Sequence, residues 1–267
     1  MKFLVKNLIK KILSYLNIYA HRSVTKEKLI SFIKLFKIKI PEKISLIRVG
    51  SEADGGYLVP NIMNQIDYCF SAGIGSNIQF EKDLLKYDIK SFGADNSVTK
   101  LPSEVRHYSF LKKNISSVND QNNITFENWV NEYRLNDNLI GQIDIEGGEY
   151  NLILNTPNQI FKKFKIIIFE FHNVQKISDS ITYEFYFNAL KKLLENFNIC
   201  HVHINNAEKF TKIRNIEIPH LLEVTFLRKD FYKGDLKKIE LPHHLDRKNI
   251  PIKTEIKFDK NWLDYIV

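Results

Sequence analysis

The stretch that decides the fold is DYCFSAGIG (residues 67–75), an apolar run that two glycines close. A helical pattern, FEKDLLKYD (80–88), follows it, and a second apolar run, IKSFGAD (89–95), comes next. Strand, helix and strand in this order are typical of a parallel sheet, because parallel strands need a crossover connection between them. The stretch therefore predicts a β-α-β unit inside an α/β domain.

The same alternation continues toward the C-terminus. Further strands are predicted at NLIGQIDIEGG (138–148), KIIIFEFH (165–172), NICHVHINN (198–206) and HLLEVTFLRKD (220–230). Helices are predicted at FENWVNEYRL (126–135), at EYNLILNTPNQIF (149–161) with a break at Pro157, and at ITYEFYFNALKKLLENF (181–197). Near-continuous Ile and Phe runs favour strands buried on both faces, so we predict a doubly wound, mostly parallel sheet.

Composition excludes several classes of protein. The 267 residues are 44% hydrophobic and 26% charged, which is ordinary for a globular protein and excludes intrinsic disorder. No uncharged apolar stretch approaches the ~20 residues that cross a bilayer. The two cysteines, Cys69 and Cys200, lie in apolar runs without metal-ligand spacing, which favours buried thiols in a reducing compartment. We therefore expect a cytoplasmic protein.

The basic charge is confined to the N-terminus. Residues 1–40 hold nine Lys, Arg22 and a single acid, Glu27, so their net charge is +9, whereas the other 227 residues have a net charge of −1. We divide the chain into a basic amphipathic helical segment (1–43) and one α/β domain (44–267). The segment is interpreted as a cap on the core or a dimer contact, with peripheral binding to the inner membrane face as the alternative. A neutral core argues against a nucleic-acid partner.

Polar residues at the strand ends point to a nucleoside ligand, because ligands of doubly wound sheets bind beyond the carboxyl ends of the strands. Gly73 and Gly75 allow the backbone to pass close to a ligand, and Asp95 ends the next strand, where a carboxylate can accept both ribose hydroxyls. The third glycine of a dinucleotide fingerprint is replaced by Ile78, and no phosphate-binding P-loop motif occurs. A cofactor with a ribose but no pyrophosphate fits best, and S-adenosylmethionine is the common one.

At this point the chain resembles the FkbM-type methyltransferases over about residues 44–230. The motifs are RVGSEADGGYLVP (48–60), FSAGIGSNIQFE (70–81), IDIEGGEY (143–150), IFEFH (168–172) and LEVTFLR (222–228). The resemblance implies a seven-stranded Rossmann-like sheet, closed by an antiparallel strand at 220–230, and O-methylation of sugars, polysaccharides or polyketides. It also implies that the glycine turn lines the methionine part of S-adenosylmethionine and that Asp95 holds its ribose. The chain departs from many relatives at Ser71–Ala72, where they carry an acid that contacts the cofactor's amino group. The residues assigned to the cofactor are Gly73, Gly75, Ser76, Asn77, Asp95 and Asp144.

A hydroxyl acceptor must lose a proton, and a positioned base typically contributes ~10²–10⁴-fold to the rate. Asp144 and Glu146 follow one strand, while Glu170 and His172 end its neighbour. His172 is the first choice as base because its ordinary pKa is near neutrality, Asp144 or Glu146 is the second, and a loop-closing role for His172 is the third. Asp144, Glu170 and His172 together form an alternative Mg²⁺ site, but the pattern does not demand one and we assign no metal.

The acceptor is expected to meet polar residues at the remaining strand ends and in the Asp-Gly-Gly-Tyr turn. They are Asp54, Tyr57, Glu170, Asn205 and Asn206. His201 and His203 share one face of a strand and are interpreted as a satisfied buried pair, since no third zinc ligand has the expected spacing.

The sequence thus predicts an O-methyltransferase that tailors a sugar or glycan precursor of a capsule, lipopolysaccharide or related surface polysaccharide. One alternative is a methyltransferase acting on nitrogen or on a phosphorylated, nucleotide-linked small molecule. Another is a scaffold with a degenerate methyltransferase fold that binds no cofactor.

Overall fold

The structure is a computed structural model that describes residues 5, 11, 13 and 15 together with 23–99 and 106–267. Its strands are β1 (Leu46–Gly50), β2 (Gly56–Pro60), β3 (Tyr68–Ala72), β4 (Lys90–Ala94), β5 (Tyr108–Leu111), β6 (Asn114–Ser116), β7 (Asn123–Thr125), β8 (Leu139–Ile143), β9 (Phe164–Phe171), β10 (Phe197–Ile204), β11 (Phe210–Ile213), β12 (Ile216–Pro219) and β13 (Leu222–Arg228). Its helices of this range are α1 (Lys26–Ile33), α2 (Gln79–Leu84), α3 (Phe126–Glu132), α4 (Glu149–Asn155), α5 (Asn158–Phe161), α6 (Ser180–Asn196) and α7 (Lys260–Ile266).

The central sheet has seven strands in the order β10-β13-β9-β8-β3-β4-β5. The strands from β9 to β5 are parallel, and β13 runs antiparallel to both of its neighbours. This arrangement confirms the predicted mostly parallel, Rossmann-like sheet and the closing antiparallel strand within 220–230. The chain moves outward from β3 through β4 to β5 and then returns to β8 on the other side of β3, so a crevice opens at the carboxyl ends of β3 and β8.

The buried strands owe their composition to the layers on either side of the sheet. All five residues of β8 are buried, and seven of the eight residues of β9 are buried. Burial on both faces removes the alternation of apolar and polar residues and selects continuous Ile and Phe runs. Pro157 separates α4 from α5, as predicted, because proline supplies no backbone N–H for a continuing helix.

The chain before the sheet packs against the core. Thr25 caps α1 by accepting a hydrogen bond from the backbone N–H of Lys28. Phe32 of α1 is buried, and Phe36 lies 5.6 Å from Trp262 of α7 between ring centroids. Most of residues 1–22 of the basic segment lie outside the described residues, so the membrane-surface role of the segment stays a prediction. No described helix is long and apolar enough to cross a membrane.

Candidate active site

A cavity of about 490 Å³ opens at the carboxyl ends of β3, β4 and β8. Its walls include most of the residues predicted from the sequence, namely Asp54, Tyr57, Gly73, Gly75, Ser76, Asn77, Asp95, Asp144 and Glu146. The hairpin of β1 and β2 covers one side, since its turn carries Asp54. The described lining contains five acids and no Lys, Arg or His, so this cavity favours a cationic or hydroxyl-rich ligand.

Gly73 makes the close approach of two strand ends feasible. Its φ is +77°, and a Cβ placed there would lie 1.5 Å from the carbonyl oxygen of Asp144. Its backbone N–H donates to the carbonyl of Ala94 at 3.0 Å, which ties the end of β3 to the end of β4. Gly75 also has a positive φ, +51°, but a Cβ there would meet nothing within 4 Å. The space beside Gly75 is therefore open to a ligand.

Asp95 is held in place by the backbone around it. Its Oδ2 accepts from the N–H of Gly75 at 3.0 Å, and its Oδ1 accepts from the N–H and the hydroxyl of Ser97, both at 2.7 Å. An ionised carboxylate has about four lone-pair positions, so these bonds orient Asp95 without using its whole accepting capacity. The structure places it on the cavity wall, as the sequence predicts.

His172 is oriented by Glu149, a residue to which the sequence analysis assigns no role. Glu149 is fully buried at the start of α4, and its Oε1 accepts from the N–H groups of Ile145 and Gly147 at 3.2 and 3.0 Å. The same oxygen lies 3.1 Å from Nδ1 of His172. Nδ1–H therefore donates to Glu149, and Nε2 is the nitrogen left to face other groups.

Nε2 of His172 faces two carboxylates predicted as site residues. It lies 3.3 Å from Oε2 of Glu146 and 3.8 Å from Oδ1 of Asp144. Burial alone would lower the pKa of His172, but the hydrogen bond and charge of Glu149, followed by Asp144 and Glu146, raise its pKa to about 9. The structure thus brings the three predicted catalytic residues together, with His172 as an imidazolium at neutral pH.

Asp144 combines a place on the cavity wall with a raised pKa. Burial raises the pKa of Asp144 to about 7, although the charge of His172 acts in the opposite direction. Its Oδ1 accepts no hydrogen bond from any described residue. A carboxyl group that titrates near neutrality can take up a proton and release it again at physiological pH.

We expect the His172 imidazole to titrate near pH 9, and the midpoint to fall in Glu149→Gln because the largest stabilising influence on the imidazolium is removed. NMR can follow the Cε1–H resonance of His172 from about pH 5 to about pH 10, which gives the midpoint in the wild type and in the variant. His243 is the internal control, since burial and the neighbouring His201 and His244 lower its pKa and Glu149 does not contact it. A wild-type midpoint near the ordinary value of about 6.5 contradicts the assignment.

A second group of carboxylates lies beside the first. Oxygens of Asp54, Glu170 and Glu223 lie within 4.8 Å of one another, and those of Asp144 and Glu149 lie equally close to a nitrogen of His172. Asn205 donates to Glu170 at 3.1 Å and links it to the other two acids of its group. Burial, together with the neighbouring acids, raises the pKa of Glu170 well above its ordinary value.

This grouping corrects two predictions. Glu170 does not join Asp144 and His172 in one set of ligand atoms, because its carboxylate meets Asp54 and Glu223 instead. Glu170 and Asn205 are buried and lie outside the described cavity lining. Asn205 donates a hydrogen bond to Asp54, which does line the cavity. Carboxylate oxygens and imidazole nitrogens are common ligands of divalent cations. Each of the two groups, the one around His172 and the one around Glu170, therefore has side chains of a type that can bind a divalent cation.

Asn206 is also placed away from the cavity. Its amide donates to the carbonyls of Ile250 and Thr254, and its Oδ1 accepts from the N–H of Ile250. The side chain anchors the C-terminal segment, and its bonding capacity is used there. It therefore has little left for an acceptor.

The predicted histidine pair shares an acidic partner, Asp246. His201 and His203 are buried, and their ring nitrogens lie 3.0 and 3.7 Å from the carboxylate of Asp246. Burial disfavours the charged form of Asp246, but the two histidines outweigh it and lower the pKa of Asp246. The three side chains join β10 to the C-terminal segment.

Tyr57 lines the cavity and is the last member of a polar row formed by the side chains of Ser71, Gln142 and Tyr57. Its hydroxyl accepts from Nε2 of Gln142 at 3.2 Å, and Oε1 of Gln142 accepts from the hydroxyl of Ser71 at 3.1 Å. Burial, together with the charges of Glu170 and Asp144, raises the pKa of Tyr57 well above 10. Tyr57 thus remains a phenol that can donate its own hydrogen to a ligand.

Comparisons with known proteins assign no family to this chain. No protein-family model matches the chain, and no curated protein matches it. Among solved structures, the chain is similar to one in the crystal structure of a fibrillarin/Nop5p complex, with 9% sequence identity and a TM-score of 0.37. The match covers 71% of this chain and 99% of that chain. The function is therefore inferred from the site.

Proposed function

We propose that the protein is an S-adenosylmethionine-dependent methyltransferase. The observation that carries the proposal is the convergence of the Gly73–Gly75 turn, Asp95 and Asp144 on one cavity at the switch point of the sheet. The residues fit this cofactor: the space beside Gly75 is open, and the acidic lining suits a cation. S-adenosylmethionine, when bound, supplies a methyl group on a positively charged sulfur.

Each residue of the cavity has a role that follows from its position. Asp95, fixed by Gly75 and Ser97, accepts hydrogen bonds from ribose hydroxyls. The glycine turn admits the methionine part of the cofactor close to the backbone. Holding two reactants in line can lower the activation barrier by up to ~7–11 kcal/mol. The ends of β3, β4 and β8 contribute to catalysis in this way, because they position the residues that bind the reactants.

Asp144 is the base that the geometry favours. Its raised pKa lies near neutrality, where a general base is most effective, whereas His172 is protonated there and lacks a free lone pair on Nε2. The imidazolium, oriented by Glu149, holds a positive charge next to Asp144 and favours the carboxylate that accepts the proton. The choice between the two residues thus changes from His172, the first choice from the sequence, to Asp144.

For the acceptor we propose a hydroxyl of a sugar or glycan, as in FkbM-type methyltransferases that act on surface polysaccharides. Asp54, Asp144 and Glu146 can accept hydrogen bonds from several hydroxyls, and Tyr57 can donate one. The same carboxylates would repel a phosphate, which argues against nucleic acid and phosphorylated acceptors. An amine acceptor is also compatible with the negative charge of the cavity lining, and the acceptor panel described below distinguishes an amine from a hydroxyl.

The test measures binding first and transfer second. Calorimetry with S-adenosylhomocysteine is expected to show binding to the wild type and a loss of roughly tenfold or more in Asp95→Asn, because charge-assisted hydrogen bonds to the ribose are removed. Asp137→Asn, an exposed acid paired with Lys163, is the matched control and should bind like the wild type. No binding by the wild type would contradict the proposal.

Methyl-labelled S-adenosylmethionine is then incubated with neutral oligosaccharides, nucleotide sugars and small amines. We expect label in the oligosaccharides. Label in amines alone would replace the oxygen acceptor by nitrogen, and transfer to none of the three would exclude all of these acceptor classes. Absence of binding in the calorimetry would favour the scaffold alternative, which binds no cofactor.

A further inference from the structure

One acid of the described cavity lining, Glu81, is not used by the proposed reaction. Glu81 lies in α2, directly after the glycine turn, and its side chain lines the cavity although the residue is only 2% exposed. Its Oε2 accepts no hydrogen bond from any described residue. Leaving one oxygen of a buried carboxylate without a hydrogen-bond donor is costly, so Oε2 indicates a donor that a bound ligand would supply.

The surroundings of Glu81 are polar but contain no described cation that offsets its charge. Burial raises the pKa of Glu81, and the Ser71 hydroxyl only partly opposes this effect. Ser71 of β3 lies opposite Gln142 of β8 and donates to it, and Gln142 in turn donates to the Tyr57 hydroxyl. Glu81 therefore adds a charge to an otherwise neutral set of hydrogen-bonding groups.

Two positive centres of the proposed cofactor are candidates for this carboxylate. A sulfonium has no N–H or O–H, so it cannot satisfy an oxygen that lacks a hydrogen-bond donor. An ammonium has three donors and carries a full charge, which makes it the group that an unpartnered carboxylate binds best.

We propose that Glu81 binds the ammonium group of the methionine moiety and thereby selects ligands that carry an α-amino group. This inference rests on the proposed function and deepens it, because it fixes which end of the cavity receives the amino acid part. Asp95 at the end of β4 receives the ribose, and Glu81 of α2, on the wall of the same cavity, receives the amino acid.

The test compares two ligands by calorimetry: S-adenosylhomocysteine and its analogue that lacks only the amino group. In the wild type we expect the analogue to bind about tenfold to a hundredfold more weakly, the range for one charge-assisted hydrogen bond. In Glu81→Gln, S-adenosylhomocysteine should lose that advantage, while the analogue binds as it does to the wild type. Tyr108→Phe is the control, since it removes a neighbouring buried hydroxyl without a charge and should leave both affinities unchanged.

The outcomes separate this inference from the proposed function. If the wild type binds neither ligand, the proposed function fails. If it binds both with equal affinity, or if Glu81→Gln weakens both to the same extent, the cofactor site stands and the role of Glu81 is overturned. The wild-type comparison needs no substitution, so equal affinities there overturn the role of Glu81 even if Glu81→Gln does not fold.

Discussion

Replacing Asp144 with asparagine is expected to reduce methyl transfer by about 10²–10⁴-fold, the contribution of a positioned general base. Asparagine keeps the size of the side chain and its place on the cavity wall but cannot accept the proton of the acceptor. Because catalysis is lost and not binding, the affinity for S-adenosylhomocysteine should stay within a few-fold of the wild type, about 1 kcal/mol. Single-turnover transfer of labelled methyl to the acceptor found in the panel measures the effect.

The matched control is Asp230→Asn, which removes an exposed partner of Arg228 far from the cavity lining and should transfer at the wild-type rate. The pH profile identifies the base independently. A base acts only when deprotonated, so wild-type transfer should rise with pH through a midpoint near 7 if Asp144 is the base. A midpoint near 9 that disappears in His172→Gln would instead return the role to His172.

Much of this site could be predicted from the sequence because its residues directly follow strands. In a parallel sheet, the residue after a strand lies at the ligand-binding edge whatever the details of packing. The positions of Asp95 after β4 and Asp144 after β8 can therefore be predicted once the two apolar runs are identified as strands. The turn at Gly73 was equally accessible, since glycine pairs mark tight turns.

Other residues depend on register and packing, which a single sequence does not carry. Gln142 lies within a buried strand, and only the pairing of β3 with β8 sets it opposite Ser71. Glu81 and Glu149 lie in short helices, whose rotation about their axes decides whether a carboxylate faces the cavity, the solvent or a histidine.

The C-terminal segment shows the same limit at longer range. Asn249 donates to Asp54, a residue 195 positions earlier in the chain, and also contacts Glu223. No local pattern indicates such a contact. From its place at the end of β10, the sequence alone predicts that Asn206 meets the acceptor, whereas the C-terminal segment that packs over it occupies its amide.

The largest effect on stability is expected from Gly73→Ala. The added Cβ would lie 1.5 Å from the carbonyl oxygen of Asp144, so backbone must move at the junction of β3 and β8. The positive φ of +77° adds strain of its own. We expect the free energy of unfolding to fall by more than about 3 kcal/mol, since steric overlap and backbone strain each cost ~1–3 kcal/mol. Urea denaturation with an unchanged m value measures the loss.

Gly75→Ala is the matched control, because the same methyl group there meets nothing within 4 Å. Only its left-handed φ of +51° is unfavourable, which costs roughly 1–2 kcal/mol. The new methyl group enters the open space beside the turn, so this variant should stay folded and bind S-adenosylhomocysteine more weakly. Equal destabilisation by the two substitutions would show that φ alone matters at this turn. A larger loss at Gly73 means that the approach of β3 to β8, which brings Asp144 to the cavity, itself requires glycine.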